Sequence, residues 1–107
     1  MDTLNAPKRC SIIIVTYNSS SCIGACLAPL LDMSDVELVV VDNDSKDGTP
    51  AKLQKEFPQV TLITLHDNIG FGGACNIGVT ASSGDFFLFL NPDTIARVEA
   101  IRTLIQF

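Results

Sequence analysis

Four short apolar runs punctuate this chain, at residues 11–16, 36–41, 60–65 and 86–90, and each is followed within two residues by an asparagine or aspartate. The last run, F-F-L-F-L, has no polar alternation. It reads as a strand buried on both faces, as in a parallel sheet covered by helices. It stops at Asn91-Pro92-Asp93-Thr94. Pro92 has no N–H to give a ladder and biases the residue before it toward extended geometry. Asn91 is therefore expected to end the strand, with Asp93 held just past its carboxyl end.

Helical signals fill the gaps. Ser19, Ser20 and Ser21 are capping types. Ile23, Leu27, Leu30 and Leu31 follow at helical spacing, with Pro29 placed to kink or shorten the helix. Thr49 is a good N-cap and Pro50 suits the first helical position of a helix running to Phe57, which Pro58 stops. The later part of the glycine-rich stretch 70–78 suits a helix up to Ala81. Val98, Ile101, Leu104 and Ile105 give residues 97–107 a helical face. The β-α alternation with short connections predicts an α/β fold: a doubly wound, mostly parallel sheet with helices on both faces and right-handed crossovers. Residues 1–10 read as an N-terminal tail and 11–107 as one domain. That domain is expected to be incomplete, since its last helix ends on Ile105-Gln106-Phe107 without a C-cap signal.

Composition narrows the class. At 47% hydrophobic residues the chain is expected to be globular. No apolar run is long enough to span a bilayer, and Lys8-Arg9 is followed by no apolar stretch of signal-peptide length. The net charge of −5 argues against wrapping nucleic acid. The four cysteines include Cys22 and Cys26, one helical turn apart, but there is no C-x-x-C, and His66 is distant in sequence. Reduced, buried thiols in a cytosolic protein fit this spacing better than zinc.

In a parallel sheet the four polar clusters, Thr16-Tyr17-Asn18, Asp42-Asn43-Asp44, His66-Asp67-Asn68 and Asn91-Pro92-Asp93, share one edge. Ligands of open α/β sheets sit there. The glycine-rich stretch beside it suggests phosphate. It is not a Walker A loop. It also fails as a dinucleotide fingerprint, because Cys75 stands at the third glycine and the stretch follows the third strand.

Four segments carry a family resemblance: S-I-I-I-V-T-Y-N at 11–18, V-V-V-D-N-D-S-K-D-G-T at 39–49, N-I-G-F-G-G-A-C-N-I-G at 68–78, and F-L-N-P-D-T, ending at Thr94, with A-S-S-G-D before it. In this order the chain resembles the amino-terminal half of a family 2 glycosyltransferase of GT-A fold, and within it the rhamnosyltransferase-like branch. The resemblance implies a donor half that binds a nucleoside-diphosphate sugar, dTDP-rhamnose or else a UDP-sugar, for inverting transfer to a glycan or lipid-linked acceptor. It places Thr16, Tyr17 and Asn18 at the nucleoside. Asp42 would accept from the ring N–H of uracil or thymine, a carboxylate being acceptor-only, with Asn43 and Ser45 shaping the same pocket. Asn68, Gly70, Gly72 and Asn76 would line the sugar-diphosphate. Asn91 and Asp93 would stand at the family's D-x-D position, with Asp93 holding Mg²⁺ or Mn²⁺. Asparagine in the first place weakens that metal site.

The resemblance also implies a cytoplasmic site, facing the membrane through the acceptor. The family's general base lies well beyond the D-x-D position. Glu99 is the only later carboxylate here and a poor candidate, so no catalytic residue is assigned and the chain alone is not expected to transfer sugar. Self-association is expected through apolar surface that an incomplete sheet leaves open.

Plain structural uses compete with these roles. Thr16 can finish a strand, Asp47-Gly48 can be a simple turn, Asn68 and Asn76 can cap, and Asp93 can start the last helix. A non-catalytic nucleotide-binding or interaction module of the same fold is the alternative reading. A nucleotidyltransferase is a third, but residues 17–25 carry no Lys or Arg to grip a triphosphate.

Overall fold

The computed structural model describes residues 10–106. Four strands and four helices alternate: β1 (Cys10–Thr16), α1 (Ile23–Leu27), β2 (Val36–Asp42), α2 (Thr49–Glu56), β3 (Thr61–Thr64), α3 (Gly70–Thr80), β4 (Phe86–Leu90) and α4 (Val98–Gln106). All pairings are parallel and the sheet order is β3-β2-β1-β4. The chain therefore winds outward from β1 to β3, then returns across the sheet to lay β4 on the other side of β1. That reversal makes the gap between β1 and β4 a topological switch point. The α/β doubly wound expectation is met.

Period-two burial divides the core into two layers. Ile12, Ile14, Leu38 and Val40 pack with Ile23, Leu27 and Leu53 and with Ile101 and Ile105 of α4. Ile13, Val15, Val39 and Val41 face α3 through Ala74 and Cys75. α3 lies close because Gly78 has no side chain. A Cβ there would stand 2.6 Å from Cγ2 of Ile13 and 3.3 Å from Cγ2 of Val41.

Several boundaries differ from expectation. Cys10, assigned to the tail, is a buried residue that opens β1, while the rest of the tail, 1–9, and the helix end at Phe107 lie outside the described residues. β2 runs on to Asp42, and β3 is shortened to Thr61–Thr64. β4 stops at Leu90, so Asn91 is not a strand residue. Its carbonyl accepts the Thr94 N–H at 3.0 Å and starts a turn. α1 is cut to five residues and passes into a 3₁₀ turn, Ala28–Leu30, at Pro29. α2 is capped by Gly48 at φ 87°, which makes Thr49 its first residue instead of its cap. The whole glycine-rich stretch from Gly70 is helical, not only its later part.

The largest correction concerns β4. It was expected to be buried on both faces, yet Phe86, Phe87 and Phe89 are 48%, 41% and 45% exposed. Among the described residues β4 pairs with β1 alone, and α3 lies over β1 and β2 instead.

Candidate functional site

The loops leaving β1 and β2 are knitted into one unit. Asp42, buried at the end of β2, accepts the Thr16 hydroxyl at 2.7 Å, the Ser45 hydroxyl at 2.6 Å and the Ser45 N–H at 2.9 Å. Ser45 Oγ in turn accepts the Asn18 N–H at 2.8 Å, and Asn18 Oδ1 accepts the Lys46 N–H at 2.8 Å. Asn18 and Asp44 hold this arrangement with φ of 51° and 68°. Left-handed backbone outside glycine is strained and is tolerated best by these two residue types. Such strain concentrates at binding sites.

Asn43 ties the same unit to the glycine-rich helix. Its amide accepts the Ile69 N–H at 3.0 Å and donates to the Gly70 carbonyl at 3.1 Å. Asn68 accepts the Gly70 N–H at 2.9 Å, a turn contact two residues on, while the N-cap position of α3 falls to Ile69 and not to Asn68. The space a Cβ would occupy is open at Gly70 and Gly72, so a ligand can approach the backbone closely there, although the Gly70 N–H and carbonyl are already bonded to Asn68 and Asn43. Asn76 is not drawn into the cluster. It is exposed, about 9 Å along the axis of α3 from Gly70 at the usual rise per residue.

Asn91 and Asp93 reach the same edge from β4, whose Leu90 pairs with Ile14 of β1. Both are exposed. The buried Cys26 thiol donates to the Asn91 carbonyl at 3.7 Å, fastening the turn to α1. Burial, with Cys22 and Asp93 nearby, pushes the Cys26 thiol up to about 11. Asp93 does not cap the last helix, since α4 begins only at Val98. Its carboxylate receives no hydrogen bond from a described residue, whereas Asp42, Asp44 and Asp47 are all engaged.

A divalent cation is tested by this donor set. Among the described residues no three His, Cys, Asp or Glu side chains gather as a cage. One free carboxylate beside an exposed amide fits a hard cation that takes most of its oxygens from phosphate and water.

Three residues that hold the site were not singled out as such from sequence. Asp47 Oδ1 accepts the Thr49 N–H at 3.1 Å and the Thr49 hydroxyl, and its Oδ2 takes the Ser20 N–H at 3.0 Å. The Thr49 hydroxyl and then these N–H groups hold the Asp47 carboxyl well below its ordinary range. Buried Ser19 gives its N–H to Thr49 Oγ1 at 3.1 Å, and Lys52 Nζ donates to the Ser20 carbonyl at 2.6 Å. The Asp-Gly-Thr-Pro sequence was the available signal, since aspartate bonds its own backbone two residues on. The cross-loop partners carried no local signal.

The edge is an open shelf with Tyr17, Ile69 and Phe71 exposed along it. A better-enclosed cleft of about 280 Å³ lies elsewhere, between β4 and α4, and is lined by Phe86, Leu88, Ile101 and Leu104 among others. Its apolar lining offers nothing to a nucleoside diphosphate.

An open parallel sheet wound in this order, with strained polar loops and a glycine-rich helix start gathered beside its switch point, defines an α/β protein of the GT-A glycosyltransferase type. The chain belongs to glycosyl transferase family 2, whose profile matches residues 11–107. It is 35% identical over 99 residues to the succinoglycan biosynthesis protein ExoO of Rhizobium meliloti, covering 90% of this chain and 28% of that protein. It is also 35% identical over 88 residues to an Escherichia coli protein, the UDP-Glc:alpha-D-GlcNAc-diphosphoundecaprenol beta-1,3-glucosyltransferase WfgD, covering 79% of this chain and 35% of the relative. Among solved structures, that of S. aureus TarS 1-349 in complex with UDP-GlcNAc superposes with a TM-score of 0.80 at 30% identity, over 92% of this chain and 30% of that one. The chain spans between about a seventh and a third of the length of the curated relatives it matches.

Proposed function

We propose that this chain is the donor-binding half of a sugar transferase, holding a nucleoside-diphosphate sugar across the carboxyl ends of β1, β2 and β4. The observation that carries this reading is Asp93, exposed beside the switch point with no hydrogen bond from a described residue, where Asp42, Asp44 and Asp47, at the end of β2 and in the loop after it, are engaged by hydroxyl, N–H and ammonium donors. Tyr17, exposed beside Thr16, offers a ring face to the nucleobase. Open backbone at Gly70 and Gly72 admits the diphosphate.

Asp42 was assigned to the ring N–H of the base. Its carboxylate is buried under Ser45, so on this reading direct contact requires the loop at 44–46 to lift. Otherwise Asp42 acts by fixing Thr16 and Ser45 beneath the base.

Asp93 and the Asn91 amide oxygen would hold Mg²⁺ or Mn²⁺ together with diphosphate oxygens. When bound, such a cation neutralises the departing nucleoside diphosphate. A UDP-sugar is the first donor, in keeping with the names of the TarS complex and WfgD. The Asn-Pro-Asp tripeptide, through its similarity to the rhamnosyltransferase-like branch, favours dTDP-rhamnose as the second. The acceptor is a glycan or lipid-linked saccharide met at the inner face of the membrane.

Calorimetric titration of UDP, dTDP and GDP with and without Mn²⁺, beside Asp93→Ala, tests the reading. Pyrimidine nucleotides bind in preference to GDP, more tightly with Mn²⁺, and Asp93→Ala loses the metal enhancement. Equal binding of GDP, or a metal effect that survives Asp93→Ala, overturns it.

A further inference from the structure

β4 poses a register problem. Every residue of F-F-L-F-L is apolar. A one-residue slip normally exposes a strand's hydrophobic set, and that penalty fixes its register. Here a slip only exchanges one apolar set for another. Among the described residues β4 also has β1 as its single strand neighbour. Something other than hydrophobic patterning must set where it lies along β1.

The end of the sheet opposite the donor edge holds such a device. Glu37, the second residue of β2, accepts the Ser11 hydroxyl at 2.8 Å and the Ser83 N–H at 2.9 Å on the same oxygen, with Ser83 Oγ 3.5 Å from the other. Buried Ser11 is paired with Glu37 in one direction and Phe87 in the other, and its Oγ accepts the Gly84 N–H at 2.9 Å. The turn before β4 presses onto the start of β1. A Cβ on Gly84 would meet Ser11 Oγ at 2.6 Å and Ser11 N at 2.7 Å. One carboxylate thus joins β2, β1 and the entry to β4.

We propose that Glu37, acting through Ser11, Ser83 and Gly84, is a positioning residue for Asn91 and Asp93 at the far end of β4. The five-residue strand carries the constraint across about 16 Å, and a single slip would displace Asp93 by about 3.3 Å. Its bearing on sugar-nucleotide binding rests on the donor-site reading above. The clip itself does not.

The test compares Glu37→Ala and Glu37→Gln with the unaltered chain by amide hydrogen exchange and by UDP titration with Mn²⁺. In Glu37→Ala, the β4 amides bonded to β1 exchange at least tenfold faster, while those of β2 and α3 keep their protection, and UDP affinity falls at least fivefold. Glutamine keeps an acceptor for Ser11 and Ser83, so Glu37→Gln restores both. Exchange that rises uniformly across the sheet, or unchanged β4 exchange in Glu37→Ala, overturns the proposal. So does loss of affinity that glutamine does not rescue. If the unaltered chain binds no nucleotide, the donor reading fails and β4 exchange alone decides the clip.

Discussion

At the scale of single residues, the site is held by polar side chains that satisfy one another. Asp42 is the centre of this arrangement, accepting three hydrogen bonds while buried. Replacing it with asparagine keeps the shape but turns one acceptor into a donor facing a Ser45 donor. Asp42→Asn is expected to destabilise the chain by about 1–3 kcal/mol, the cost of leaving a buried polar group unsatisfied. Urea unfolding measures it. UDP and dTDP affinities should fall together, because the variant disturbs the loop and not one base contact. The sequence indicated Asp42, Asn43, Ser45 and Asn18 by their places after strands. It did not indicate that they bond to each other. Those partnerships depend on left-handed backbone at Asn18 and Asp44, which residue type permits but does not announce. Asn76 was included because it stands in the same motif as Gly70 and Gly72. About one and two-thirds helical turns carry it away from the loop cluster.

At the scale of elements, α2 and α3 show how single groups fix a helix. Asp47 serves the first turn of α2 and joins it to the loop after β1. Its carboxyl is held below the ordinary value of 3.8. A depressed carboxyl stabilises the fold above the unfolded value, and that contribution is lost as pH falls toward the folded one. The stability difference between the unaltered chain and Asp47→Asn should therefore be constant above about pH 5 and shrink progressively as pH drops through 4 and below. Urea midpoints across that range check it. A shrinking difference on the alkaline side would contradict the sign. For α3, Gly78→Ala places a methyl 2.6 Å from Ile13. Overpacking of this kind costs about 1–3 kcal/mol, and it should lower the melting temperature without altering nucleotide preference. The strands and helices were legible because apolar period and turn residues are local. The exposure of β4 was not legible. An apolar run reports that a strand wants cover and says nothing of whether its neighbours reach far enough, and α3 crosses over β1 and β2 instead.

For the whole molecule, winding order does most to place the site. Return of the chain to the far side of β1 brings Asn91 and Asp93 opposite Thr16, residues that are remote in sequence. The same order leaves β4 outermost among the described strands, with Phe86, Phe87 and Phe89 open beside it. Contiguous apolar surface of this kind drives association. The chain is expected to self-associate with rising concentration, and Phe87→Ser with Phe89→Ser should lower that tendency in sedimentation velocity while leaving the far strand β3 protected from exchange. The donor site is proposed to lie at the carboxyl edge of this sheet. Amide chemical-shift mapping on addition of UDP with Mg²⁺ tests that place directly. Shifts confined to residues 16–18, 42–46, 68–72 and 91–94, with 36–38 and 83–86 at the opposite edge unmoved, are the predicted result. Shifts centred on the cleft between β4 and α4, or none at saturating UDP, would contradict it.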